Sequence, residues 1–276
     1  MLKKIKALVA DIDGTLVMKG GELQPEIKKA LETLHAQGVK IGVASGRPLD
    51  KRIKDKAHEW GLSFEFDMMI GMNGGDIWVE GMDEIQHNYL LGTDTLEYIM
   101  SWIKDFDCNA ISYIKAYDEV WCTKVNPFMI DSQKRNKSIV RVVTPEKMAT
   151  VPTGKIECQY MPEDNDKMTA CVAEHIKGRT DFIAVKTFFT TVEFLDPRVN
   201  KGMALHKFCE ISGIPIEEVL ACGDMNNDFE MLRDAGFSIC LANGCDECKE
   251  VATVVTELPC DQDGLGKYLN EVFIKG

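Results

Sequence analysis

Hydrophobic and polar positions follow two different periods along the first third of the chain. Short apolar runs such as "KIKALVA" and "VKIGVAS" predict buried strands. Between and after them, apolar residues recur at helical spacing, with Pro25 and Gly38 suited to the start and end of the first helix. The predicted elements are, in order, strand 4–10, helix 25–38, strand 39–45 and helix 47–61. This alternation predicts a parallel sheet with crossover helices.

The pattern changes after residue 83. A turn at 73–75 first joins two apolar runs, as in a hairpin. Residues 84–190 then contain short alternating strands and two amphipathic helices, typical of an antiparallel α+β unit. Strand–helix alternation resumes from residue 191. We therefore expect a mostly parallel α/β core formed by residues 1–83 and 191–276, interrupted by an inserted α+β cap at 84–190.

Composition narrows the class of partner. The chain has 276 residues, 45% hydrophobic, and a formal net charge of -12. An acidic balance argues against nucleic acid or an anionic membrane as partner, and no segment approaches the length of a membrane span. The ten cysteines are scattered, and no export signal is evident, which predicts reduced thiols in a cytoplasmic protein. No feature of the sequence specifies an oligomeric state.

Polar residues mark the predicted strand ends and helix starts. They are Asp11, Asp13, Ser45, Lys201, Asp224, Asn227 and Asp228. In an open parallel sheet, ligands bind beyond the carboxyl ends of the strands. One carboxylate could attack phosphorus and a second could transfer a proton, while a hydroxyl and a lysine hold phosphoryl oxygens. The set therefore predicts a phosphoryl-transfer site.

Charge predicts a cation at this site. Two unit negative charges about 4 Å apart repel by roughly 4 kcal/mol at an effective dielectric constant of 20. Several carboxylates facing a phosphate add more such repulsions than one lysine can offset. A hard divalent cation with oxygen ligands can do so, and Mg²⁺ is the natural choice beside phosphate. Asp11 and Asp224 are its expected side-chain ligands.

Four stretches together resemble a known family. "DIDGTL", the serine of "VASGRP", the lysine of "VNKGMAL" and "GDMNND" are similar, in order, to the four motifs of the haloacid dehalogenase (HAD) superfamily. The insert resembles the cap of its Cof-type hydrolases in size and pattern, and many of these are sugar-phosphate phosphatases. "NGG" and "DGLGKYL" are also similar to that family. The fold implied is a HAD-like Rossmannoid core with a cap.

The resemblance implies a role for each matching residue in the first three motifs. Asp11 would be the nucleophile and a magnesium ligand. Asp13 would be the acid and base, with its main-chain carbonyl on the metal. Ser45 and Gly46 would hold the phosphoryl group, and Lys201 would neutralise it and steady Asp11.

The fourth motif would complete the metal site. Asp224 would bind Mg²⁺, and Asn227 and Asp228 would contact phosphate or brace the metal shell. Asn243, in "LANG", is a further candidate, because that stretch is near the family's usual one without being identical to it.

The activity expected is Mg²⁺-dependent hydrolysis of small phosphorylated metabolites, most of all sugar phosphates, through an aspartyl-phosphate. The cap would close over the substrate and supply the selective contacts. Two alternatives stay open at this point. A phosphomutase on the same scaffold would pass the phosphoryl group to a second hydroxyl, and a sugar-phosphate-binding regulator would not turn over.

Three further features have competing interpretations. Cys245 and Cys248 have zinc-ligand spacing, although reduced thiols fit better because a second nearby pair is missing. The basic stretch 132–137 could grip an anionic group or be a solvated loop. Tyr113, Tyr117 and Trp121 could stack on a sugar, but packing within the fold is the default.

A calcium-binding EF-hand is excluded at Asp11 and Asp224, since neither stretch has Gly at the sixth position.

Overall fold

A computed structural model describes residues 5–49, 51–114, 119–127, 129–130 and 139–274. The chain divides into two compact units. The core unit comprises Met1–Gln86 and Asn200–Gly276, and the inserted unit comprises His87–Val199. Among the described residues, no helix is both long enough and apolar enough to cross a bilayer.

The core unit is organised around one sheet. Its described strands are β1 (Ala7–Asp11), β2 (Lys40–Ala44), β3 (Met68–Gly71), β4 (Asp76–Val79), β5 (Gln86–His87), β12 (Val219–Gly223), β13 (Phe237–Cys240) and β14 (Val254–Val255). Their spatial order is β14-β13-β12-β1-β2-β3-β4-β5. Neighbours are parallel from β14 to β3, and β4 runs antiparallel to β3. The predicted α/β class, with a parallel sheet and a hairpin after it, is confirmed.

The described part of the core unit also contains helices, most of which connect the strands of this sheet. They are α1 (Pro25–Ala36), α2 (Lys51–Lys54), α3 (Lys56–Glu59), α7 (Lys201–Ser212), α8 (Phe229–Asp234), α9 (Asp246–Val251) and α10 (Gly264–Leu269). The single helix predicted over 47–61 is wrong, because that segment forms α2 and α3 with a break at Asp55. Aspartate is a weak helix former in helix interiors, since its side chain competes for backbone hydrogen bonds. The short elements α9 and β14 were not predicted.

Strand β1 lies near the middle of the sheet, between β12 and β2, and Asp11 is its last residue at the carboxyl edge. Alternate residues of β1 are buried in apolar clusters on its two faces, which explains the continuous apolar run in the sequence. In the register of the sheet, Asp11 lies opposite Ala44 of β2, and Ala10 lies opposite Cys222 of β12. The residues directly after β2 and β12 therefore reach the same edge as Asp11.

The turn between β3 and β4 contacts the start of α7. Asn73 and Gly74 have positive φ angles of 55° and 111°. A Cβ atom on Gly74 would lie 2.2 Å from the carbonyl oxygen of Asn200. The side chain of Asn200 caps α7 by accepting the backbone N–H of Met203 at 2.7 Å. The hairpin turn thus sets the position at which α7 and its first residue, Lys201, begin.

The inserted unit has its own sheet and core. Its described strands are β6 (Cys108–Ile114), β7 (Glu119–Cys122), β8 (Ile139–Val142), β9 (Lys155–Tyr160), β10 (Ile183–Phe188) and β11 (Thr191–Leu195), in the order β10-β11-β9-β6-β7-β8. Its described helices are α4 (Thr93–Ile103), α5 (Pro145–Met148) and α6 (Asn165–His175). The expectation of an antiparallel sheet is wrong for one pair, because β7 and β8 are parallel. Residues 123–138 between them are long enough for the crossover that a parallel pair requires.

Aromatic residues proposed as sugar platforms pack within the inserted unit. Trp121 is buried in its core, and the indole N–H donates to Glu119 Oε1 at 2.5 Å. Tyr113 is half-buried against the apolar cluster around Ile111 and Val120. The packing interpretation is therefore the one the structure supports for both residues. Tyr117 and the basic stretch 132–137 lie outside the described residues.

The contact between the hairpin turn and α7 gives a test of the fold. We expect Gly74→Ala to lower the free energy of unfolding by at least about 3 kcal/mol. The new methyl group would clash with the Asn200 carbonyl, and alanine would in addition be strained at this positive φ angle. Gly81→Ala is the matched control: its φ is +92° but the space around its Cβ position is open. It should lose only about 1 kcal/mol. Equal losses in urea unfolding of both variants would contradict the contact.

Candidate active site

A buried lysine joins two carboxylates at the carboxyl edge of the core sheet. Lys201 is fully buried, and its Nζ donates to Asp11 Oδ1 and, at 2.5 Å, to Asp228 Oδ1. Asp11 ends β1, Lys201 begins α7, and Asp228 lies just before α8. Three of the candidates from the sequence therefore converge on one ammonium group.

Asp224 is held beside this group by neighbours from the first motif and from the loop after β13. The Thr15 hydroxyl donates to Asp224 Oδ1 at 2.8 Å, and the Asn243 amide donates to Oδ2 at 3.3 Å. Gly14 has a φ of +101°, and a Cβ there would lie 2.4 Å from Asp224 Oδ2. The glycine of "DIDGTL" is thus required by both backbone conformation and the close approach of Asp224.

Asp228 also shapes the loop that carries Asp224. Its Oδ2 accepts the backbone N–H groups of Asp224 at 3.0 Å and Met225 at 3.1 Å. One carboxylate therefore binds Lys201 through one oxygen and folds the loop through the other. This fully buried residue has a structural role in the loop in addition to any role at a metal.

The acidic cluster has the composition of a site for a hard divalent metal. One carboxylate oxygen each from Asp11, Asp224 and Asp228 lies within 4.8 Å of the others, and all three residues are buried. Oxygen-only donors of this kind suit a hard cation. In the described part of the chain, these are the only His, Cys, Asp or Glu side chains that form such a group of three. The thiols of Cys245 and Cys248 consequently lack the further ligands that structural zinc needs.

Asp13 lies apart from the cluster and pairs with an arginine. Arg47 Nη2 contacts both carboxylate oxygens of Asp13, at 2.8 and 2.6 Å. The Asp13 side chain is 30% exposed, whereas that of Asp11 is 9% exposed. The two acids of "DIDGTL" thus occupy different electrostatic environments, one beside a buried ammonium and one beside a partly exposed guanidinium.

The phosphate-binding candidates are connected through Asn73. The Asn227 amide donates to Asn73 Oδ1 at 3.1 Å, and a Cβ on Gly46 would lie 3.0 Å from the same oxygen. Ser45 is buried directly after β2, and its carbonyl accepts the N–H of Asn73 at 3.0 Å. Ser45, Gly46 and Asn227 are therefore brought to one place by the hairpin turn.

Sequence reasoning missed three residues of this site. Thr15, Arg47 and Asn73 each lie within a quoted motif, "DIDGTL", "VASGRP" or "NGG", but none was assigned a role. Their position inside the motifs was the available signal. Their partners, Asp224, Asp13 and Asn227, could not be read from it.

Burial dominates the titration of the carboxyl groups in the cluster, and the neighbouring carboxylates add to its effect. Burial raises the pKa of the Asp11 carboxyl to about 8, although Lys201 opposes the shift. Burial also raises the pKa of Asp224 to about 6, against the hydrogen bond from Thr15. For Lys201, burial alone lowers the pKa, but Asp11 and Asp228 outweigh it and raise the pKa above its ordinary value. The ammonium therefore stays charged and cannot neutralise every carboxylate around it.

Comparison with known proteins identifies the family. A family model described as haloacid dehalogenase-like hydrolase matches residues 8–269. The chain therefore belongs to the haloacid dehalogenase-like hydrolases. This match spans both units. It therefore includes the inserted unit, whose resemblance to the family in the sequence was limited to its size and its pattern of elements.

Individual relatives align with this chain over nearly the whole length of both proteins. The phosphoglycolate phosphatase of Methanosarcina acetivorans is 31% identical over 258 residues, covering 92% of this chain and 91% of that protein. A 5-amino-6-(5-phospho-D-ribitylamino)uracil phosphatase of Bacillus subtilis, YcsE, is 26% identical over 265 residues, covering 96% of this chain and 94% of that protein. A solved HAD subclass IIB sugar phosphatase has the same fold, with a TM-score of 0.79 at 22% identity, covering 98% and 99%. The predicted family and enzyme class, a HAD-type phosphatase, are confirmed.

The raised pKa values give a test of metal binding. Metal must displace protons from these carboxyl groups, so we expect Mg²⁺ affinity to increase by at least about tenfold from pH 6 to pH 8, as Asp11 with its pKa near 8 ionises. Calorimetric titration at both pH values measures this. Asp224→Asn should abolish binding, whereas Asp234→Asn, at an ion pair with Arg233, should not.

The metal-free protein provides the complementary measurement. Because the pKa of Asp11 is higher in the folded than in the unfolded chain, the folded state binds more protons between pH 4 and 8. Its free energy of unfolding should therefore fall as the pH rises through this interval, and added Mg²⁺ should restore more stability at pH 8 than at pH 6. Affinity and stability that do not change with pH would contradict the buried acidic cluster.

Proposed function

We propose that this chain is a Mg²⁺-dependent phosphatase of small phosphorylated metabolites, with sugar phosphates as the main substrate class. The observation that carries the proposal is the convergence of Asp11, Lys201, Asp224 and Asp228 at one sheet edge. The relatives support the substrate class. Two of them are named as phosphatases of small phosphorylated metabolites, and one solved structure is that of a sugar phosphatase. Residues 84–190 are proposed to supply the contacts that select the substrate.

The metal assignment follows from donor chemistry. Asp11, Asp224 and Asp228 offer buried carboxylate oxygens, to which the main-chain carbonyl of Asp13 would be added. Mg²⁺ prefers such oxygen ligands and commonly serves phosphate chemistry. When bound, the ion would neutralise charge that Lys201 alone leaves unbalanced.

Asp11 is the proposed nucleophile. Its carboxylate oxygen would attack phosphorus, and the bond from phosphorus to the substrate oxygen would break, leaving an aspartyl-phosphate. Lys201, in contact with Asp11 and fixed as an ammonium, would hold the carboxylate in place and offset phosphoryl charge. Ser45, Gly46 and Asn227 would bind phosphoryl oxygens at the place where Asn73 brings them together.

Asp13 is the proposed acid and base. It would give a proton to the leaving alkoxide and later remove one from the water that attacks the aspartyl-phosphate, releasing inorganic phosphate and restoring Asp11. The two-oxygen contact from Arg47 would orient this carboxyl group. The two acids of the first motif would therefore divide the labour, one attacking and one transferring protons.

The nucleophile is tested by Asp11→Asn. The amide cannot form the covalent intermediate, so we expect phosphate release to fall by at least about a thousandfold. Phosphate release from a panel of phosphorylated metabolites with Mg²⁺, for wild type and variant, measures this. Equal inertness of both would favour a binding protein, and an isomerised sugar phosphate without free phosphate would favour a mutase.

The acid and base assignment is tested by Asp13→Asn. Loss of proton transfer should lower kcat by more than about tenfold. Substrate binding should be largely kept, because the proposed phosphate-binding groups are untouched. Steady-state kinetics together with direct binding to the Asp13→Asn protein separates the two effects, and an unchanged kcat would refute the assignment.

A further inference from the structure

The side chain of Asn73 has hydrogen-bond donors that the rest of the site does not use. Its Oδ1 accepts the Asn227 amide at 3.1 Å, which fixes the orientation of the Asn73 amide. The NH₂ group of an asparagine has two donors. Among the described residues, the Asn73 Nδ2 group donates to no protein atom. Since Asn73 is only partly buried, these donors are available to a solute beside a proposed phosphate ligand.

The backbone of Asn73 is held in a costly conformation. The φ angles of Met72 and Asn73 are 51° and 55°, in the left-handed region that side chains rarely adopt. The Met72 N–H donates to the Arg47 carbonyl at 2.8 Å, and the Asn73 N–H donates to the Ser45 carbonyl at 3.0 Å. Left-handed residues other than glycine persist where surrounding contacts enforce them, and they cluster at functional sites. The turn between β3 and β4 therefore presents Asn73 at a fixed position in spite of this strain.

The Asn73 amide packs against the segment that follows β2. A Cβ atom on Gly46 would lie 3.0 Å from Asn73 Oδ1 and 3.4 Å from Asn73 Nδ2, so the glycine leaves room for the amide. Asn73 thus contacts Gly46 by packing, Ser45 through its backbone N–H and Asn227 through its Oδ1. These three residues are the proposed phosphate-binding groups other than Lys201.

We infer that Asn73 is itself a phosphate-binding residue, whose Nδ2 group donates a hydrogen bond to a phosphoryl oxygen. The inference rests on the proposed function, because it takes Ser45, Gly46 and Asn227 as groups that bind phosphate. It extends that function by adding the turn between β3 and β4 to the segments that bind the phosphoryl group.

A neutral amide suits an anion at this site. The buried ammonium of Lys201 is already surrounded by the carboxylates of the acidic cluster. An amide donor binds a phosphoryl oxygen without changing this balance of charge, whereas a further cation would be attracted to the same carboxylates. Hydrogen bonds to charged groups are stronger than those between neutral groups, and loss of one weakens binding by about tenfold to a hundredfold.

Two other roles for Asn73 make different predictions. As a turn residue, Asn73 needs only a left-handed backbone, which glycine adopts more easily. As a support for Asn227, it needs only the Oδ1 acceptor, which aspartate keeps. Asn73→Gly and Asn73→Asp both lack the Nδ2 donors, so together they separate direct phosphate binding from these two roles.

The test measures the affinity of inorganic phosphate for the full-length, Mg²⁺-loaded protein by calorimetry. We expect Asn73→Gly to weaken phosphate binding by about tenfold or more. Asn73→Asp should weaken it further, because its carboxylate would repel phosphate. Mg²⁺ affinity should stay at the wild-type value in Asn73→Gly, since the hydrogen bonds of Asn73 go to Ser45 and Asn227 rather than to the acidic cluster.

Asn226→Ala is the matched control. It removes an exposed amide from the same loop as Asn227, but the Asn226 Oδ1 accepts the Cys245 thiol at 2.7 Å. Its phosphate affinity should change by less than about twofold. A urea unfolding midpoint near that of the wild type shows, for each variant, that the fold is intact.

A double-mutant cycle with Asn227→Ala separates a direct contact from an effect through Asn227. If Asn73 binds phosphate directly, Asn73→Gly should still weaken phosphate binding by at least about fivefold in the Asn227→Ala background. Loss of that effect in the double variant would show that Asn73 acts only through Asn227, and would overturn the inference.

The remaining outcomes distinguish this inference from the proposed function. Wild-type phosphate affinity in both Asn73 variants would overturn the inference and leave the proposed function standing. A wild-type protein that releases no phosphate from any ester, but binds inorganic phosphate in an Asn73-dependent way, would overturn the proposed function and support the binding residue. A wild-type protein that binds no phosphate would overturn both.

Discussion

The fully buried ammonium of Lys201, shared between Asp11 and Asp228, is the interaction on which the site depends. A buried charge is tolerated only when it is paired and hydrogen-bonded, so the fold must deliver both carboxylates to it. The neighbouring positions of β1 and β12 do this, together with the hairpin turn that fixes the first residue of α7. Changes to any of these elements act on the chemistry through one ion-paired group.

One ammonium against three buried carboxylates leaves negative charge that the chain itself cannot neutralise. The pKa values of Asp11 and Asp224 are raised first by burial and further by the neighbouring carboxylates, so a proton or a metal must compensate for the buried negative charge. The two acids at the end of the apolar strand have different charge partners. Asp11 faces the ammonium, while Asp13 is held by Arg47 in a more exposed position.

The loop after β12 combines structure and chemistry in few residues. Asp228 binds Lys201 and also closes the loop through backbone N–H groups, and Asn227 contacts the hairpin turn at Asn73. Beneath the loop, the Cys245 and Cys248 thiols donate to its polar atoms. These contacts therefore fix the positions of Asp224, Asn227 and Asp228 within one short segment.

Local pattern in the sequence determined the apolar strands, the amphipathic helices and the polar residues at strand ends, because burial and helix or strand period are properties of neighbouring residues. It missed two local features, the break at Asp55 and the short helix α9, and it failed at the parallel pairing of β7 with β8, which longer contacts decide. The motifs named Asp11, Lys201 and Asp224, but only tertiary structure could join Lys201 to Asp11, 190 positions away, or Arg47 to Asp13. Such contacts depend on strand order and register, and these are fixed by packing of the whole sheet rather than by any one segment.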